Sequence, residues 1–203
     1  TDLEKNQMAI FLFNGISAFV SRTGYTGEDG VEIIAPAESV AAIWDRLLAV
    51  GASAGLRPVG LGARDTLRTE MGYPLYGQDL NETITPLEAG LGYFIAMDKG
   101  DFVGRPALLA QQGGELPRKL IAFQMTAKAP PPRPHYAIWS TGPEARKLGE
   151  VSSGTQSPSL RHGIGMGFVP PTHAPLGTAL EIEIRGQRAP AVVVKKPIYR
   201  KAG

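Results

Sequence analysis

From Lys119 onward the chain reads as six short apolar runs, each closed by glycine or proline: Leu120–Met125, Tyr136–Ser140, Gly149–Ser153, Ile164–Val169, Ala179–Ile184 and Ala191–Val194. No helical period runs through them. Strands this short bury a face only by curling their sheet closed or by stacking two sheets, so the pattern predicts a small barrel or sandwich. The proline cluster Ala129-Pro-Pro-Pro-Arg133-Pro is too short for a linker and reads as a stiff extended loop within this region. A domain of residues 117–203 follows, preceded by one of residues 1–116.

The first part mixes its signals. Met8–Phe13 and Ile16–Arg22 are β-prone runs joined by Asn14-Gly15, the pair that favours a tight hairpin. Gly30–Ala35 predicts a third strand. Pro36 sits where a helix starts, and Val40, Ile43, Trp44, Leu47 and Leu48 recur at helical spacing. A second helix is predicted over Ala63–Glu70, stopped by Gly72 and Pro74, then a strand over Leu91–Met97. Pro106–Gln112 predicts a short helix ended by Gly113-Gly114. The fold class expected is therefore α+β: a partial α/β domain followed by a small antiparallel β-barrel.

Composition excludes several chemistries. With no cysteine among 203 residues there are no disulfides, thiolate metal sites or cysteine nucleophiles. His135, His162 and His173 are scattered and none lies at metal-ligand spacing, so no metal is expected. Gly60-Leu-Gly-Ala-Arg64-Asp65 begins like a dinucleotide fingerprint but places Asp65 at the third glycine position, and no Gly-Lys-Ser/Thr loop exists. No Gly-x-Ser-x-Gly elbow supports a serine nucleophile. A formal charge of +2 gives no footprint for nucleic acid or an anionic membrane. Lys195, Lys196, Arg200 and Lys201 read as a solvated tail, since only Tyr199 interleaves with them. No run of about 18 apolar residues is present to span a bilayer.

Two glycine-shaped segments carry the positive signal. In Thr26-Gly-Glu28-Asp29-Gly30 the flanking glycines allow a close approach of backbone to ligand, and Glu28 stands at the tip. A carboxylate there accepts paired hydrogen bonds from a ring presenting an exocyclic amine beside a ring N–H. Tyr25 is placed to stack on such a ring. Arg64 opens a helix on whose face Leu67, Arg68 and Met71 follow. Together the acid and the guanidinium suit a pterin-type molecule. The plain alternatives stay open at this level: Glu28-Asp29-Gly30 as a strand-joining turn, Tyr25 as packing, Arg64 as a helix salt-bridge partner. Tyr73-Pro-Leu-Tyr76-Gly-Gln78-Asp79 is either a pocket cap or a connector closed by hydrogen bonds.

Arg22-Thr-Gly-Tyr-Thr-Gly-Glu-Asp-Gly, Gly60-Leu-Gly-Ala-Arg-Asp-Thr-Leu-Arg, Leu75-Tyr-Gly-Gln-Asp, Thr85-Pro-Leu-Glu-Ala, Phe102-Val-Gly-Arg and Gly154-Thr-Gln-Ser-Pro-Ser-Leu occur in this order. The series closely resembles the aminomethyltransferases of the glycine cleavage system, the T-proteins, over nearly the whole chain to Lys196-Pro-Ile-Tyr. The resemblance implies transfer of a one-carbon unit from the aminomethyl-lipoyl arm of an H-protein to tetrahydrofolate, with release of ammonia. It implies folate contacts at Glu28 and Arg64, beside which Tyr25 stays a stacking candidate, and at Arg133, which resembles the family's Pro-Arg before a tyrosine. Here that arginine lies in an unusually proline-rich loop. The implied setting is the bacterial cytoplasm or the mitochondrial matrix.

The chain departs from the family at its front. Members are much longer on the N-terminal side, and the acidic residue implied to activate the folate amine lies in that segment. Asp2, Asp29 and Asp65 stand in other motif contexts, so no catalytic residue is assigned, and the chain alone is expected to be inactive. Surfaces that would face the longer segment, Met8–Phe13 and Ile16–Val20, are expected to be apolar and exposed. Related alternatives are the folate-binding end of a dimethylglycine or sarcosine dehydrogenase and a noncatalytic folate protein of iron–sulfur assembly. The latter carry a Lys-Gly-Cys-Tyr type segment, which a chain without cysteine lacks. A purely structural barrel module is the remaining alternative.

Overall fold

A computed structural model describes residues 3–201. Asp2, considered above as a substitute acid, lies outside the described residues. The chain divides into two compact units, one up to Leu67 and one from Arg68 onward.

The first unit contains a three-stranded antiparallel sheet, β1 (Met8–Phe13), β2 (Ile16–Ser21) and β3 (Glu32–Ile34), in that spatial order. Asn14 and Gly15 join β1 to β2 with φ of 50° and 79°. Two successive positive φ angles give the turn whose twist matches a hairpin. Helix α1 (Ala37–Gly51) starts immediately after Pro36, whose carbonyl accepts the Ser39 N–H and hydroxyl. Of the predicted apolar stripe on α1, Ile43 is buried, whereas Val40, Trp44 and Leu47 remain largely exposed.

Register places Ile10 opposite Phe19 and Phe19 opposite Ile34. Paired residues share a face, and alternation adds Met8 and Leu12 to it. All five side chains are exposed, Leu12 at 74%, Ile34 at 65% and Met8 at 61% of their full accessibility. An apolar sheet face of this extent is a surface built for contact.

Helix α2 (Leu61–Glu70) begins two residues earlier than the sequence predicts, and its last three residues, Arg68–Glu70, belong to the second unit. There, α3 (Arg105–Gln112) precedes the barrel of β4 (Lys119–Met125), β5 (Ala137–Ser140), β6 (Lys147–Gln156), β7 (Gly163–Val169), β8 (Ala179–Ile184) and β9 (Gln187–Val194). Their order is β4-β7-β6-β5-β8-β9, every pairing is antiparallel, and β4 with β9 closes the ring. All six predicted runs became strands. Closure leaves no free edge, which resolves barrel against sandwich.

Inside the barrel Phe123, Ile138, Val151, Val169, Leu180 and Ile182 form one core. Strand β8 alternates cleanly, with Leu180, Ile182 and Ile184 inward. Strand β4 does not, because its outer residues Leu120 and Ala122 pack with Met166 and Ala89 in a second cluster that includes Leu80, Ile84 and Leu91. A strand covered on both faces reads as a continuous apolar run, as this one does. Gly165 and Gly167 in β7 admit this packing. A Cβ at Gly165 would stand 2.6 Å from Phe123 Cζ and from the Ser153 carbonyl oxygen, and one at Gly167 2.6 Å from Ile138 Cδ1 and the Glu150 oxygen.

The strand predicted over Leu91–Met97 is corrected. Gly92–Phe94 forms a single 3₁₀ turn, with Phe94 N–H bonded to the Leu91 carbonyl and Ile95 N–H to that of Gly92. Leu91 N–H reaches the Pro86 carbonyl at 2.7 Å. The backbone is thus satisfied locally, and the β-prone Tyr93 and Phe94 project outward, with no strand among the described residues beside them to pair with.

The exposed apolar face of β1–β3 predicts self-association of this chain at high concentration. Light scattering should show a mass rising with concentration, and Ile10→Lys with Leu12→Lys should return it toward the monomer value.

Candidate substrate-binding site

The glycine loop after β2 is braced at its base. Arg22 donates from Nε and Nη2 to the two oxygens of Asp29, both at 2.9 Å, and from Nη1 to the Leu3 carbonyl at 2.8 Å. Thr23 donates to Glu32 at 2.6 Å. The fork between planar guanidinium and carboxylate fixes orientation as well as distance. Hydrogen bonding from Arg22 holds the Asp29 carboxyl below the usual range, although both groups face solvent. Gly24 to Glu28 are thereby presented as a projecting loop. Gly27 adopts φ 76°, in the left-handed region that suits glycine, and the next residue is Glu28, which is exposed.

Helix α2 meets this loop. The Arg64 guanidinium lies over the Tyr25 ring, 4.7 Å from its centroid. Arg64 stands on the first turn, where its own N–H and that of Ala63 bond to the Gly60 carbonyl. The structure therefore brings Tyr25 and Arg64 into contact, with Glu28 three residues further along the same loop. A guanidinium stacked on an aromatic face keeps its edge donors available for a planar anionic or carbonyl partner.

Arg133 belongs to the second unit and is exposed on a turn in which Tyr136 N–H bonds to its carbonyl. The next residues, Pro134 and His135, line a cleft of about 450 Å³ on the barrel together with Gln78, Arg118, Leu148 and Phe168. Arg118 stacks on Phe168 at 5.2 Å and donates to the buried Glu88 at 2.7 Å. Lys147, at 2.7 Å, holds the Glu150 carboxyl in this cleft below its ordinary range, with a lesser contribution from His135.

The Tyr73–Asp79 segment is a connector closed by hydrogen bonds. Asp79 is fully buried and accepts from Arg68 Nη1 at 2.7 Å, the Leu75 N–H at 2.9 Å, the Ser153 hydroxyl at 2.7 Å and the Ser152 hydroxyl. Arg68 also reaches Gln78 Oε1 at 3.1 Å. Two residues on, Glu70 accepts from the Ser157 hydroxyl and from the Ser159 N–H and hydroxyl, while its carbonyl takes the N–H groups of Ile198 and Tyr199. Arg68 and Arg64 thus part ways on one helix: the first is structural, the second faces the loop. The serine partners lie in Gly154-Thr-Gln-Ser-Pro-Ser and just before it, and no local sequence signal pairs them with α2. Among the described residues no group of three or more His, Cys, Asp or Glu side chains is arranged to hold a metal. No helix there is long and apolar enough to cross a membrane.

Residues 4–99 match the family model of the GCVT N-terminal domain, and residues 118–200 match that of the glycine cleavage T-protein C-terminal barrel domain. The chain belongs to the glycine cleavage T-protein family. Relatives named aminomethyltransferase include one from Bacillus cereus, 49% identical over 192 residues, and one from Caldanaerobacter subterraneus subsp. tengcongensis, 44% identical over 207 residues. These alignments cover 94% and 99% of this chain but 51% and 54% of the relatives. The crystal structure of glycine cleavage system aminomethyltransferase T from Bartonella henselae superposes with a TM-score of 0.82 at 31% identity, over 90% of this chain and 50% of that one. The chain spans about half the length of the T-proteins it matches.

Two outcomes test the buried network. Arg68→Met leaves Asp79 buried without its cation and should cost about 3–5 kcal/mol in chemical unfolding. Lys196 packs its stem against Gly72, and burial lowers its amine below the ordinary lysine range despite the attraction of Asp79. Between the lowered folded-state pKa and the ordinary value of about 10 the unfolded chain binds more protons, so stability contributed here rises with pH across that window. Below the window the charging penalty is fully present. Urea unfolding from neutral pH to about pH 10 should show this rise in the parent chain, and Lys196→Met should abolish it.

Proposed function

We propose that this chain carries the folate-gripping portion of an aminomethyltransferase of glycine cleavage. The contact between Arg64 and Tyr25 carries this reading, because it joins the helix start to the glycine loop that presents Glu28. Glu28 accepts the amine and ring N–H of the pterin, and Tyr25 and Arg64 contact its ring system and anionic groups. The family resemblance adds Arg133 as a further substrate contact. Residues 1–116 continue a folate-binding domain and 117–203 form its barrel domain. The substrates are tetrahydrofolate and the aminomethyl-lipoyl arm of an H-protein.

The transfer balances without a redox partner. The aminomethyl carbon leaves sulfur and nitrogen and becomes a methylene joined to two folate nitrogens. One of the two protons those nitrogens lose departs with ammonia, and the other restores the thiol. A general acid or base must lie within hydrogen-bond reach of the reacting nitrogen. The resemblance places that acid in the half of the T-protein this chain does not span, so these 203 residues bind but do not turn over.

Titration calorimetry with tetrahydrofolate tests the binding role. Glu28→Ala and Arg64→Ala should each weaken binding by roughly tenfold or more, the loss of one or two charge-assisted hydrogen bonds. Unchanged affinity in both variants would refute the assignment. Mixed with aminomethylated H-protein and tetrahydrofolate, the chain should form no methylenetetrahydrofolate, and measurable product would overturn the inactivity.

A further inference from the structure

Lys196 comes two residues after β9 and runs its stem along backbone that carries no side chains to obstruct it. A Cβ at Gly72 would stand 2.7 Å from Lys196 Cγ and 2.8 Å from Cδ, and one at Gly90 would stand 3.8 Å from Nζ. Both glycines hold positive φ, 67° and 71°, so neither position readily takes a side chain that would displace the lysine. The half-buried stem is therefore seated, and the amine ends beside the Gly90 backbone. Among the described residues that amine has no hydrogen bond and no ion pair. Asp79 attracts it without pairing with it, its carboxylate being committed to Arg68, the Leu75 N–H and two serine hydroxyls. The amine is not sealed in either. Among the described residues the one buried side-chain nitrogen or oxygen without a partner is His162 Nε2, so Lys196 Nζ keeps surface open to solvent. Burial, and after it the like charge of Lys119, press the amine toward its neutral form against the pull of Asp79.

We propose that Lys196 is a nucleophilic amine that condenses with a small aldehyde to form an imine. Desolvation and a neighbouring cation are the two means by which proteins prepare a lysine for this chemistry, and both act here. A small aldehyde reacts with a neutral nitrogen and is slim enough to approach past the Gly90 backbone. The amine lone pair adds to the carbonyl carbon. Both amine hydrogens then leave with the carbonyl oxygen as one water, giving a carbon–nitrogen double bond with no oxidant or reductant. When the imine takes up a proton, the field of Asp79 favours the cation that results. The proposal involves none of Tyr25, Glu28, Arg64 or Arg133 and stands or falls independently of folate binding.

The test is reductive methylation of the whole chain with formaldehyde near neutral pH. Cyanoborohydride traps the imine as a methylated amine, and tandem mass spectrometry scores each lysine at low conversion. Lys195 is the reference, being adjacent in sequence and exposed. Lys196 should be methylated about threefold faster or more, since each unit of lowered pKa frees roughly tenfold more neutral amine and returns part of that gain as weaker nucleophilicity. The excess should shrink as pH rises toward about 10, where Lys195 also turns neutral, and should vanish in urea, where both lysines meet the same solvent. Equal or slower reaction of Lys196 in the folded chain would overturn the proposal. So would a preference that survives unfolding, because local sequence rather than the glycine seat would then set it.

Discussion

Arg68 and Asp79 put two opposite charges into the interior of the second unit, and the rest of that unit is arranged around keeping them satisfied. Removing two ions from water costs several kcal/mol each, and the attraction between them repays this only when the remaining donors and acceptors are also occupied. Here they are. Asp79 receives a backbone N–H and two serine hydroxyls besides the guanidinium, and Arg68 reaches Gln78 as well. The serines come from β6 and the amide from the Tyr73–Asp79 segment, so one ion pair fastens a helix end and a loop to the barrel. Glu70 repeats the device with Ser157 and Ser159. The buried carboxylates Asp79 and Glu70 are fasteners.

That division of labour explains how one ten-residue helix serves two purposes. Its last turn is immobilised by side chains that no ligand needs to reach. Its first turn sets Arg64 over Tyr25, and helical hydrogen bonds hold the arginine backbone there. The glycine loop is braced separately by the Arg22–Asp29 fork. The loop base and the Arg64 backbone are thus anchored by separate sets of hydrogen bonds.

What could be read directly from residues was whatever is governed by neighbours in sequence. Asn14-Gly15 announced its turn because only a few residues accept two left-handed angles in succession. The barrel strands announced themselves through short apolar runs between glycine and proline punctuation, whereas the cover on both faces of β4 appeared only in the structure. The segment Leu91–Met97 misled because its residues have β propensity but pair with no described strand. Nothing local could have joined Asp79 to Ser152 and Ser153, or Glu70 to Ser157, across separations of 73 to 87 residues. At the candidate site, Glu28 and Arg64 were visible as chemistry, but their local surroundings fitted a plain turn and a plain helix equally well. The ordered motif series singled them out, and the structure sets Arg64 against Tyr25, in the loop that presents Glu28.

Strand β7 has a consequence for how this barrel can vary. Its two inner glycines are hollows moulded by Phe123 and Ile138 on one hand and by main-chain oxygens of β6 on the other. Side chains can be exchanged for smaller ones, but a carbonyl cannot be trimmed. The calibre of the ring is therefore fixed where β6 and β7 run closest. Tolerance for change migrates to the opposite wall, where β5, β8 and β9 contain no glycine pressed against a neighbour's main chain.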